Sequence, residues 1–213
     1  MIIIGISGYA RSGKDLFTTV AQKVLKEHKL KSEKFALAYE LKNDLKSLVK
    51  TKVGIDVFTD NTQEKSIIRP LLVAYGDVMR KTSEGKYWTS KVGHRIDKSK
   101  VDVVFITDIR YDVYPEDECT WLQNKMGGKL IHITKFKQGT VPQGKRFSKN
   151  KIVKMYDAAP NDHELLNDPK VKAKANYAFE WEDYSDKLDN ILLDDHPYIR
   201  EKVTEALKTI NVI

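Results

Sequence analysis

Ile2-Ile3-Ile4-Gly5-Ile6 is an uninterrupted run of β-branched residues broken by one glycine. Such a run predicts a strand buried on both faces, as in a parallel sheet. A glycine-containing turn follows, and Leu16, Val20, Val24 and Leu25 then recur at helical spacing. The first unit therefore reads strand–loop–helix. Phe35-Ala36-Leu37 predicts a second strand, and Leu41, Leu45, Leu48 and Val49 an amphipathic helix. Pro70 suits a first helical turn, so a helix carrying Leu71, Leu72, Tyr75, Val78 and Met79 is predicted to start there.

Val101-Asp102-Val103-Val104-Phe105-Ile106 is the next clear strand, ending at Thr107-Asp108. A helix through about Met126 is stopped by Gly127-Gly128, and Leu130-Ile131-His132-Ile133 predicts a third clear strand. Residues 135–154, with Gly139, Pro142 and Gly144, read as an exposed loop. Tyr177 to Trp181 predicts a late strand, and Val203, Ala206, Leu207 and Ile210 a closing helix. Strands alternating with helices imply an α/β sandwich with a mostly parallel sheet. No internal repeat or low-complexity segment interrupts it.

Composition narrows the picture. The chain has 213 residues, enough for one domain with an appended lobe. Cys119 is its one cysteine, which excludes an intrachain disulfide or a zinc ribbon. No apolar run approaches the roughly 20 residues of a membrane helix. The first residues lack a basic n-region, so a cytoplasmic protein is the expectation. The net charge is +7. Residues 135–154 hold seven Lys and Arg and no acid, so this one stretch equals the whole surplus. An anionic partner is implied: a nucleotide, a nucleic acid or a lipid surface.

The candidate chemistry lies in the first turn. Gly8-Tyr9-Ala10-Arg11-Ser12-Gly13-Lys14 matches G-x-x-x-x-G-K between a strand and a helix. Glycines let successive backbone N–H groups curl around phosphate oxygens, and the helix N-terminus adds partial positive charge. Gly8, Arg11, Ser12, Gly13, Lys14 and Asp15 are therefore the candidate nucleotide-binding residues, for a nucleoside triphosphate. Lys14 suits the β- and γ-phosphates. Asp15 stands where Ser or Thr usually meets Mg²⁺, and its carboxylate is also a hard oxygen ligand. Asp108, at the end of a buried strand, is the second candidate metal ligand, or else an ordinary turn-capping Asp. Arg110, two residues on, would face the same cleft. Arg11 either bonds the nucleotide or braces the loop. The chain thus reads as one P-loop NTPase-like domain over residues 1–213. Helices are expected to dominate about 39–98, and a basic stretch lies at about 135–154.

Further landmarks resemble a family. Phe35-Ala36 with Leu41-Lys42, Arg69-Pro70-Leu71-Leu72 with Gly76 and Arg80, Tyr87-Trp88, and Thr107-Asp108-Ile109-Arg110-Tyr111 with Glu118 and Gly127-Gly128 follow in order. Asp162-His163-Glu164 adds a partial match to a later acidic motif. With the Asp15-terminated loop, this order resembles the phage-type deoxynucleoside monophosphate kinases. The resemblance implies transfer of the γ-phosphoryl group of ATP to a deoxynucleoside monophosphate, with Mg²⁺. It implies that the helical segment at about 39–98 binds the acceptor and that the stretch at about 135–154 is a lid, with Lys42, Arg69, Arg80, Trp88 and Arg110 binding the acceptor. Lys14, Arg69, Arg80, Arg110 and Arg146 would form the catalytic set.

Bland readings stand beside these. Arg69 and Arg80 clamp a phosphate or form surface salt bridges. Trp88 stacks on a base or sits in the core. The 135–154 stretch, with Lys145 and Arg146, is a lid, a solvated loop or a nucleic-acid patch. Leu16 and Asp77 depart from the Thr that the resemblance leads one to expect, which leaves the acceptor open. The alternative acceptors are phosphomevalonate and dephospho-coenzyme A. A nucleic-acid-binding module is a third, less favoured reading. The expected partners are small nucleotide substrates rather than a membrane. Similar kinases are often dimers, although no self-complementary face is legible here. Five scattered His and the lack of a nucleophile elbow disfavour a hydrolase.

Overall fold

The computed structural model describes residues 1–142, 150–159, 161–183 and 193–213. The parallel core is made by β1 (Ile2–Ser7), β2 (Ser32–Ala36), β3 (Val103–Ile109), β4 (Lys129–Pro142) and β6 (Tyr177–Glu182). β1 lies between β3 and β4, β2 flanks β3, and β6 pairs with the first half of β4. β5 (Asn150–Tyr156) runs antiparallel to the second half of β4.

Alternation along the strands gives each face its own core. Ile4, Ile6, Val103, Phe105, Ile131 and Ile133 pack against α1 (Lys14–Glu27) and α7 (Pro197–Thr209), through Phe17, Val20, Val24, Val203 and Leu207. Ile3, Val104, Ile106 and Leu130 face the other way. They meet α2 (Leu37–Val53), α4 (Lys86–Ile96) and the short α5 (Glu118–Thr120), which a π-helical turn, Trp121–Lys125, continues. A smaller cluster of Leu45, Val49, Val57 and Ile68 joins α2 to α3 (Thr62–Thr82). α6 (Asp162–Ala173) completes the set and lies near the end of β1. Among the described residues, no helix is long and apolar enough to cross a membrane.

The α/β sandwich with a mostly parallel sheet is as expected from the strand–helix alternation. Three details differ. α3 begins at Thr62, not at Pro70, because the Asn61 side chain accepts from the N–H groups of Gln63 and Glu64 and caps the helix. Pro70 therefore sits inside it. The predicted helix to Met126 is one α-helical turn that widens into a π-helical turn before the glycines. The stretch read as an exposed loop after residue 134 is mostly strand: β4 extends to Pro142 and β5 returns antiparallel to it. Lys135 lies 2.9 Å from Asp183 and Lys154 2.7 Å from Glu180, so acids beside this hairpin answer part of its charge. Lys145 and Arg146 lie outside the described residues.

Candidate active site

The turn after β1 is shaped by backbone geometry. Gly8 has φ +129°, and a Cβ there would come within 2.3 Å of the Ile133 carbonyl oxygen, so only glycine fits. Arg11 adopts φ +66° without being glycine, a conformation the surrounding loop must hold. α1 starts directly at Lys14 and no side chain caps it. Its N-terminal N–H groups and dipole thus face the loop, which is the arrangement that binds phosphate. Among the described residues the buried Ser12 hydroxyl has no hydrogen-bond partner, an orphan that a phosphate oxygen would satisfy.

Lys14 is buried, and its ammonium donates to the carbonyls of Gly8 and Tyr9, both at 2.8 Å. Burial lowers its pKa, the Arg110 charge adds to that, and Asp108, Glu164 and Asp15 oppose it. These groups therefore share one electrostatic neighbourhood. Asp15 is largely exposed and pairs with Lys34 at 2.9 Å.

The end of β3 is bent on purpose. β1 and β3 pair Gly5 with Ile106 but Ser7 with Ile109, so β3 carries one extra residue. Asp108 lies in that bulge with φ +67°, a conformation Asp tolerates better than most side chains. The bulge turns Asp108 and Arg110 to the same side, where they pair at 3.3 Å. The Glu118 carboxylate accepts from the N–H groups of Arg110, at 2.5 Å, and Tyr111, at 3.1 Å. Asp117 similarly accepts from Val113 and Tyr114. Two adjacent buried acids thereby fix the loop that carries Arg110.

A cavity of about 470 Å³ opens at the phosphate loop. Gly8, Ala10 and Arg11 form one wall, Arg69 and Val73 of α3 a second, and Ile109, Arg110 and Tyr111 a third. Asn161, His163, Glu164 and Asp168 from α6 and its cap close it. Among the described residues, three arginines thus line one cavity. Burial alone would lower the Arg110 pKa, but Asp108 and Glu164 outweigh it and hold the group charged.

Not every candidate reaches this cavity. Arg80 lies 3.3 Å from both Asp77 and Asp117, and its guanidinium stacks 3.6 Å from the Tyr111 ring centroid. Trp88 is buried, donates its indole N–H to the Gly76 carbonyl at 3.2 Å, and meets Tyr75 and Tyr87 edge to face. Lys42 sits 5.6 Å from the Phe58 ring centroid. None of the three lines the cavity. Conversely, Asp168 lines the cavity without being a sequence candidate, and Tyr111, Glu118, His163 and Glu164 are legible in the sequence only as landmarks. The spacing of Asn161, Glu164 and Asp168 along one helical face was the signal available for α6.

A P-loop after a buried strand, an acid at the neighbouring strand end and an arginine-lined cavity are the parts of a P-loop kinase of small molecules, dependent on ATP. A sequence model of phosphomevalonate kinase matches residues 6–127, more than half of the chain. The chain belongs to the phosphomevalonate kinase family. Among solved structures, shikimate kinase from Bacteroides thetaiotaomicron is similar over 99% of this chain and 98% of its own, at 13% identity and a TM-score of 0.42. No curated protein matches the chain. The family carries the name of the alternative acceptor, phosphomevalonate.

Proposed function

We propose that this protein transfers the γ-phosphoryl group of ATP to phosphomevalonate, giving the diphosphate and ADP. The observation that carries the reading is the convergence of Arg11, Arg69 and Arg110 on one cavity beside the phosphate loop. Such an arrangement suits an acceptor that is itself a dianion. Family membership supports phosphomevalonate as that acceptor.

In this reading the acceptor phosphate is the nucleophile. One of its oxygens bonds to Pγ as the bond from Pγ to the β-bridging oxygen breaks, and ADP leaves. No general base is needed, because a phosphate monoester is already ionised near pH 7. The protein's work is positioning and charge neutralisation. Lys14 exchanges its two carbonyl partners for phosphate oxygens. Ser12 and the amides at the start of α1 hold the donor. Arg69 and Arg11 hold the acceptor, and Arg110 stands between the two.

The residues present fit Mg²⁺. Asp15 and Asp108 offer hard oxygens, and no cluster of three metal-ligating side chains exists among the described residues. That suits an ion held chiefly by phosphates and water with one or two carboxylates. When bound, it would neutralise charge on the transferring phosphates.

A second acceptor reading, a deoxynucleoside monophosphate, is favoured by Tyr111, an aromatic wall of the same cavity. A coupled ADP-release assay should compare phosphomevalonate, the four deoxynucleoside monophosphates and dephospho-coenzyme A. Turnover greatest with phosphomevalonate is expected. Preference for a nucleotide would overturn the acceptor, and no release with any of them would overturn the kinase reading.

A further inference from the structure

Glu164 reaches the phosphate loop from α6, 154 residues away in the chain. Its Oε2 accepts the Ala10 N–H at 2.7 Å, and its Oε1 lies 3.7 Å from the Arg110 guanidinium. Asn161 donates to Oε1 at 3.2 Å and caps the Glu164 N–H at 3.0 Å. α6 is itself anchored to the sheet: both Asp168 oxygens lie 3.0 Å from Nε2 of buried His132 on β4.

Burying a carboxylate is costly unless its oxygens are matched, and here they are matched by the donor loop and by the cation that faces the acceptor. Ala10 directly precedes Arg11, whose left-handed backbone needs a restraint from outside the loop. We propose that Glu164 is a positioning residue. It holds the Ala10–Arg11 edge of the phosphate loop and the Arg110 guanidinium in one shared pose, so that donor and acceptor phosphates meet in register. The kinetic half of this inference rests on the kinase reading above; the binding half does not. The competing idea is that Glu164 merely occupies the Ala10 amide until a phosphate displaces it.

The test compares Glu164→Ala and Glu164→Gln with wild type, using ADP titrations and steady-state kinetics. Leu166→Ala, an exposed site on the same helix, serves as the control. Glu164→Ala should weaken ADP binding by about fivefold, the worth of one hydrogen bond. It should also lower kcat by about tenfold or more through misplacement of Arg110. Glu164→Gln keeps an oxygen for the Ala10 N–H but loses the charge facing Arg110. ADP affinity should return to within about twofold of wild type while kcat stays depressed. Rescue of affinity without rescue of kcat is the signature that a purely structural role would not give. Tighter ADP binding by Glu164→Ala would establish the placeholder idea and overturn the proposal. Unchanged affinity and kcat in Glu164→Ala, or affinity not restored by Gln, would overturn it as well. If Glu164→Ala fails to fold, the Gln variant alone decides, through normal affinity with depressed kcat. A wild-type protein that binds ADP but phosphorylates no acceptor would sink the kinase reading and leave the affinity comparison to decide this inference. A wild type that does not bind ADP would overturn both.

Discussion

The indole N–H of Trp181, on β6, donates to the carbonyl oxygen of Ser12 in the phosphate loop at 3.0 Å. The same ring lies against Gly13, where an added Cβ would come within 2.0 Å of it. Gly13 also has φ +92°, so a side chain there meets both backbone strain and an aromatic wall. Gly13→Ala should cost nucleotide binding even if the chain folds, because the Ser12–Lys14 turn must shift. Trp181→Phe should keep the packing, lose the hydrogen bond and destabilise by about 1 kcal/mol. Calorimetric titration with ADP and thermal melts measure both; normal ADP binding by Gly13→Ala would refute the loop geometry.

Lys14→Met retains most of the buried length and removes the ammonium. Turnover should fall by at least about 100-fold, the usual loss when a positioned charge on a transition-state phosphate is removed. Thermal stability should fall as well, because Lys14 satisfies the buried Gly8 carbonyl, which methionine leaves without a donor. Retention of wild-type kcat would remove Lys14 from the reaction.

Arg69 and Arg80 lie on the same helix but should behave oppositely. Arg69 lines the cavity and is exposed, so Arg69→Ala should raise the acceptor KM and leave the melting temperature alone. Arg80 stacks on Tyr111 and faces the fully buried Asp117. Arg80→Ala should destabilise by about 3 kcal/mol, because it removes the cation from a buried carboxylate that then keeps only the Val113 and Tyr114 N–H groups. Denaturant unfolding and acceptor saturation curves separate the two effects. A stable Arg80→Ala variant with a raised KM would place Arg80 in the acceptor site after all.

Glu118 gives a pH signature. Burial, and next the charge of Asp117, push its pKa from 4.5 up to about 8. Between those values the folded protein keeps a proton that the unfolded chain has released. The resulting stabilisation is complete below 4.5 and is lost as the pH rises through 8. Glu118→Gln mimics the protonated form and should flatten this part of the profile. Urea midpoints of both proteins at pH 5, 6.5 and 8 provide the check. An unaltered slope in the variant would assign the pH dependence elsewhere.

Local sequence was most informative where local physics decides. A β-branched run followed by glycines and a helical period leaves few structures open, so β1, the phosphate loop and α1 were legible directly. The same holds for β3 and for Asp108 at its end. Pro70 misled because a proline is judged by its neighbours, whereas the cap that starts α3 is Asn61, nine residues earlier in the turn before it. Residues 135–142 and 150–154 misled because lysine and glycine suggest solvent. Here Lys135 and Lys154 are tolerated in strands because Asp183 and Glu180 lie beside them.

By itself, then, the sequence determined the alternation of strands and helices and the site for a nucleotide phosphate. Both depend on residues adjacent in the chain. Tertiary structure decided which distant groups share that site. Arg80 and Trp88 carry the right chemistry for an acceptor but are consumed by Asp117, Tyr111 and the core. Glu164 and Asp168 are unremarkable in the chain, yet α6 brings them to the loop. A side chain's role depends on which partners the fold leaves within hydrogen-bonding reach, and that distance is not written in sequence spacing.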